Sequence, residues 1–174
     1  MLGAPASGKG TQGRLLAEAL RVPHVSTGAL LRRSIDDGDQ HGIRDIVESG
    51  HLAPDEITEQ VLFPELGDGF VLDGYPRTIR QAERLDEYLE DVGRPLDAAV
   101  ELVVPDGTLA ARMALRSSEE HRSDDTPDVF FRRLKTHHEE VERLREHYAG
   151  RLVQVDGTGS EDEVFHRLIR AIRP

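Results

Sequence analysis

The chain has 174 residues, no cysteine and 37% hydrophobic side chains, enough for one ordinary core and nothing for disulfides or thiolate metal sites. With 33 acidic residues against 22 Lys and Arg the formal charge is −11, which opposes approach to nucleic acid or an anionic membrane. No apolar run approaches the roughly 20 residues that span a bilayer and no signal-peptide pattern opens the chain, so one soluble cytoplasmic domain over 1–174 is expected.

The first feature in chain order is Gly3-Ala4-Pro5-Ala6-Ser7-Gly8-Lys9-Gly10-Thr11-Gln12, a small-residue turn that opens a helical pattern over 8–20. Gly3, Ala6, Gly8 and Gly10 let backbone N–H groups converge on an anion, the helix adds its positive end, and Lys9 supplies a point charge. The Gly3-x4-Gly8-Lys9 spacing fits a phosphate loop, although Gly10 stands where the general pattern has Ser or Thr and the hydroxyl follows at Thr11. Because Ala6 carries a β-carbon, the loop is expected to keep φ negative there.

Further along, β-prone segments at 23–25, 69–72, 98–104 and 151–155 alternate with helical patterns at 28–36, 40–49, 55–64, 78–91, 107–116, 127–148 and 161–172. That alternation predicts an α/β fold with a parallel sheet wrapped by helices. The mostly apolar runs at 70–72 and 100–104 do not alternate, as expected of strands covered on both faces. Thr126 and Pro127 make a clean start for the longest helix.

Directly after the 69–72 segment comes Asp73-Gly74-Tyr75-Pro76-Arg77, with Gln81 four residues on. At the carboxyl end of a strand Asp73 can hold a hydrated Mg2+ while Arg77 reaches a phosphate; the plainer alternative is a Gly-Pro turn with a surface ion pair. Arg112 and Arg116 lie one helical turn apart, and Arg122 and Arg133 follow. In so acidic a chain this cluster calls for an anion that planar guanidinium groups match. Arg132, Arg143 and Arg145 read as solvated surface residues, as do His121, His137 and His138.

Together these motifs resemble the adenylate kinases, which turn ATP and AMP into two ADP. Gly3 to Gln12 is similar to that family's loop except at Ala6, and the family accepts Gly after the lysine. The resemblance implies a three-layer P-loop nucleotide kinase with a parallel five-stranded sheet, an AMP-binding flap at 26–55, a short lid at 117–123, Mg2+ with ATP, no structural zinc, and a monomer. Ala6, Ser7, Gly8, Lys9, Gly10 and Thr11 would hold ATP phosphates, Arg112 would stack on the ATP base, Arg116 would bind its phosphates, and backbone near Gly159 would touch the adenine. For AMP the resemblance implies Thr27, Arg32, His51, Leu52, Ala53, Gly74, Tyr75, Pro76, Arg77, Gln81, Arg122 and Arg133, with Gln81 reading the base edge. Lys9, Arg77, Arg116, Arg122 and Arg133 would form the catalytic set, and Asp73 would hold the metal through water.

UMP/CMP kinases share this architecture but usually have Ala at the position of Thr27 and Asn near Gln81; a non-catalytic nucleotide-binding homologue is the other alternative. Ala29 stands where the family usually has Asp, which implies slower turnover. Only Met1-Leu2 precede the loop, so the first strand is expected to be truncated, with apolar residues belonging upstream. Loss of three or four buried strand residues would cost about 5–10 kcal/mol.

Overall fold

The computed structural model describes residues 1–39, 41–120 and 126–172, and for 116–120 the backbone alone. Five strands are described, β1 (Leu2–Gly3), β2 (His24–Ser26), β3 (Val71–Asp73), β4 (Ala99–Val103) and β5 (Leu152–Asp156). Between them run α1 (Lys9–Leu20), α2 (Thr27–Asp36), α3 (Arg44–Glu48), α4 (Asp55–Leu62), a 3-10 turn (Phe63–Glu65), α5 (Ile79–Asp91), α6 (Asp106–Glu120) and α7 (Pro127–His147), and α8 (Glu161–Ile172) follows β5. All strand pairs are parallel, in the orders β1-β4-β5 and β2-β3. The two ladders meet at β1, where the Met1 nitrogen donates to Leu72 O at 2.6 Å. The expected five-stranded parallel sheet is therefore present as two ladders bridged beside a two-residue β1.

Local rules account for the elements. Four of the five β4 residues are buried, because helices cover both faces of the strand. Thr78 and Thr126 cap α5 and α7, each side chain accepting from the N–H three residues on. In α5 the buried positions Gln81, Ala82, Leu85 and Leu89 fall on one face. Packing then divides about the sheet. Leu16, Val71, Val100, Leu102, Val155 and Leu168 join α1 and α8 to one side, while Val25, Leu62, Leu72, Tyr75, Leu85 and Leu89 join α4 and α5 to the other.

Two expectations change. At Ala6 φ is +62°, so the residue is left-handed despite its β-carbon. Ser7 N closes a turn on Ala4 O with Ala6 as its third residue, the position that is left-handed in a type II turn, and the surrounding loop outweighs a local cost of about 1–2 kcal/mol. The second concerns α6, which runs to Glu120 rather than 116, so the first four positions of the expected lid continue that helix. Lid positions 121–123 lie outside the described residues.

Candidate functional site

A cavity of about 460 Å3 opens beside the carboxyl ends of β1, β2 and β3, reaching from the loop at 5–11 to α7. The loop geometry is set by backbone: Gly3 and Gly8 have φ of +137° and +94°. At Gly3 a β-carbon would stand 2.9 Å from Leu102 O, so only glycine lets the loop leave β1 this close to β4. Lys9 lies at the first turn of α1, and its Nζ donates to Ala4 O at 2.7 Å. Arg112 bridges two walls, donating to Ser7 O at 3.2 Å and to Gly157 O at 2.8 Å.

Asp73 ends β3 and lines the same cavity, its carboxylate against Gly10 of the loop. Among the described residues no cluster of three or more His, Cys, Asp or Glu could hold a metal. A lone carboxylate facing a phosphate loop suits a hard cation that keeps most of its waters.

A smaller cavity of about 60 Å3 adjoins the first. Its lining brings together Thr27, Arg32, His51, Leu52, Ala53, Gly74, Tyr75, Arg77, Gln81 and Arg133 from α2, the 50–54 turn, the β3–α5 turn, α5 and α7. Pro76 lines only the larger space. Thr27 Oγ1 is buried and makes no hydrogen bond among the described residues, a group that a ligand would satisfy. Gln81 is already used: its Oε1 accepts from Arg77 N and its Nε2 donates to Asp55 Oδ1, both at 2.8 Å. His51 pairs with Ser49 Oγ, Arg77 Nε donates to Gly74 O, and Arg133 donates to Val47 O. Burial pushes the Tyr75 hydroxyl well above its ordinary pKa.

Gly159, at φ +97°, lines neither cavity and sits two residues beyond the Gly157 carbonyl held by Arg112. Its loop is fixed from below by Asp156 Oδ1, which accepts from Thr158 N at 2.9 Å, and by a reciprocal cap between Ser160 and Glu163. The Arg116 side chain and all of Arg122 lie outside the described residues, as does His121.

The structure overturns the surface reading of Arg145 and His137. Both line the larger cavity. Glu101, 1% exposed in β4, accepts from Arg145 Nε at 2.8 Å and Nη2 at 2.7 Å and from Gln154 Nε2 at 2.9 Å. Burial by itself would raise the Glu101 pKa, but these donors and the Arg145 charge outweigh it and hold the carboxyl below the usual range. His137 is lowered to about 4, chiefly by desolvation and then by the Lys9 charge. The one legible signal was a glutamate inside the apolar run at 100–104. Arg132, Arg143 and His138 are exposed, as expected.

The larger cavity is lined by seven cationic side chains (Lys9, Arg14, Arg32, Arg77, Arg112, Arg133 and Arg145) and two carboxylates, Asp73 and Glu101. In a chain of charge −11 this is a local basic island, suited to a small polyanion.

Comparison with known proteins converges on one family. A family model described as Adenylate kinase matches residues 1–153. Similar proteins include the adenylate kinase of Nocardia farcinica, 43% identical over 179 residues covering 99% of this chain and 97% of the relative. Those of Stenotrophomonas maltophilia and Mycobacterium tuberculosis are each 40% identical with the same coverage.

Proposed function

The chain belongs to the adenylate kinase family, and from that premise we propose how its two adjoining cavities perform reversible phosphoryl transfer from ATP to AMP. ATP phosphates occupy the loop at 6–11, where Lys9 exchanges the Ala4 carbonyl for a phosphate oxygen. Arg112 stacks on the ATP base, with adenine against backbone near Gly159. AMP enters the smaller cavity, where Thr27 and Arg32 contact it, the backbone around His51, Leu52 and Ala53 faces its base, and Gln81 reads the base edge.

The observation that carries this reading is that three arginines, Arg32, Arg77 and Arg133, line both cavities, so guanidinium groups stand where two phosphate chains would meet end to end. A phosphate oxygen of AMP attacks the γ-phosphorus of ATP, the bond to the β-bridging oxygen breaks, and two ADP result. No protein nucleophile is needed, so catalysis consists of alignment plus neutralisation of charge on the equatorial oxygens. Arg116 and Arg122 complete the cationic set. Asp73 would hold Mg2+ through water, and the ion would supply positive charge that offsets the charge of the phosphates. The flap at 26–55 closes over the nucleotides and excludes water that would otherwise hydrolyse ATP.

A coupled assay of ADP formation with AMP, CMP, UMP and GMP as acceptors tests the reading. Strong preference for AMP is expected. Preference for CMP or UMP would reassign the smaller cavity, and calorimetric binding of a tethered bis-adenosine polyphosphate without any ADP formation would mark a non-catalytic homologue.

A further inference from the structure

Arg133, His137, Val141 and Arg145 of α7 stand four residues apart and all line the larger cavity, so one stripe of this helix forms its wall. One end of the stripe carries Arg133 toward the junction of the two cavities. At the other end Arg145 grips Glu101 with two hydrogen bonds. Glu101 itself sits within the strand ladder, in register with Leu2 of β1 on one side and Gln154 of β5 on the other. The side of α7 toward α5 is held separately, by Glu140 accepting from Ile79 N and by His147 against Asp86. Only the Glu101 contact ties the cavity face of the helix to β4 through a charge pair among the described residues.

The distance from Arg133 to Arg145 along the helix is about 18 Å, so a tilt of about 5° about Arg145 moves Arg133 by about 1.5 Å. A buried ion pair adds little net stability, because desolvation of both ions offsets most of their attraction, but it does fix register. We propose that the Glu101–Arg145 pair is a positioning device that sets the rotation and axial setting of α7 on β4, and thereby places Arg133 on the transferring phosphoryl group. The proposal rests on the phosphate role given to Arg133 above. Misplacing a cation whose contact matters most in the transition state lowers kcat more than it raises KM.

Steady-state kinetics of Glu101→Gln, Arg145→Lys and Arg133→Lys, alone and combined, test this well below each melting midpoint. Glu101→Gln and Arg145→Lys are each expected to lower kcat about 10–100-fold while KM for ATP and AMP stays within about threefold. In the Glu101→Gln background, Arg133→Lys is expected to cost much less than in the native protein, because the guanidinium is already displaced. A pair serving stability alone would lower the melting midpoint, keep kcat within twofold and leave the Arg133→Lys loss unchanged; that result overturns the proposal. If Glu101→Gln does not fold, Arg145→Lys decides, since it keeps the charge on a side chain that is 29% exposed. Full activity in Arg133→Lys alone would overturn the phosphate role itself, whereas a loss there with none in the other two overturns only the positioning.

Discussion

The two ends of the nucleotide cavity are built differently. At the loop end the backbone does the positioning: left-handed residues at Gly3, Ala6 and Gly8, the first turn of α1, and the Arg112 bridge from Ser7 O to Gly157 O fix the cradle before any ligand arrives. At the flap end side chains rest on protein partners that substitute for a ligand. Gln81 holds Asp55, Arg77 holds Gly74 O, and Arg133 holds Val47 O. The loop backbone is therefore preorganised, with the Lys9 contact to Ala4 O to be exchanged, while on the proposed reading AMP binding must exchange several hydrogen bonds. Interactions exchanged one for one contribute little net free energy but much selectivity.

The largest break in this contrast comes from removing the loop cation. Lys9→Met is expected to lower kcat about 10^3-fold in the coupled assay, because charge is lost where it develops. A loss below tenfold would remove Lys9 from its assigned role. Next, Gln81→Ala is expected to raise KM for AMP about tenfold and leave KM for ATP unchanged, since the amide belongs to the flap end alone. Equal shifts in both constants would join the two ends into one site.

His137 sharpens the comparison through pH. The folded protein keeps its imidazole neutral down to about pH 4, whereas the unfolded imidazole takes a proton near its ordinary 6.5. Between those values the unfolded chain binds more protons, so this contribution to stability is complete above 6.5 and is lost as pH falls toward 4. His137→Asn should gain on the native protein in melting midpoint as pH drops through that window. A constant difference from pH 7 to 4.5 would show that burial does not hold the imidazole neutral.

The smallest expected effect lies in the loop. Ala6→Gly relieves a left-handed alanine but adds freedom to the unfolded chain, so the net change in chemical denaturation is expected to stay within about 1 kcal/mol. Ala6→Val should instead destabilise by more than about 1 kcal/mol, because a β-branched residue resists φ of +62°. Equal behaviour of the two variants would mean that the loop is not held rigidly.

Much of this was legible in the sequence. Glycine spacing marked the phosphate loop, Thr126-Pro127 marked the start of α7, and unbroken apolar runs marked β3 and β4, because turn chemistry, capping and strand burial act over a few residues. The likeness to a family also named a set of residues from distant segments that the structure brings around one small cavity. Residue type alone could not separate Arg145 from Arg143, or His137 from His138. Tertiary structure did so by setting Arg145 against a carboxylate 44 positions away and His137 beside Lys9, where desolvation and a neighbouring charge fix its protonation. It also made Ala6 left-handed against its own preference, since loop closure outweighs a single β-carbon. Local chain chemistry thus settled the order and kind of the elements, whereas the addresses of the buried charges depended on which distant segments meet, because electrostatic free energy is set by surroundings rather than by sequence neighbours.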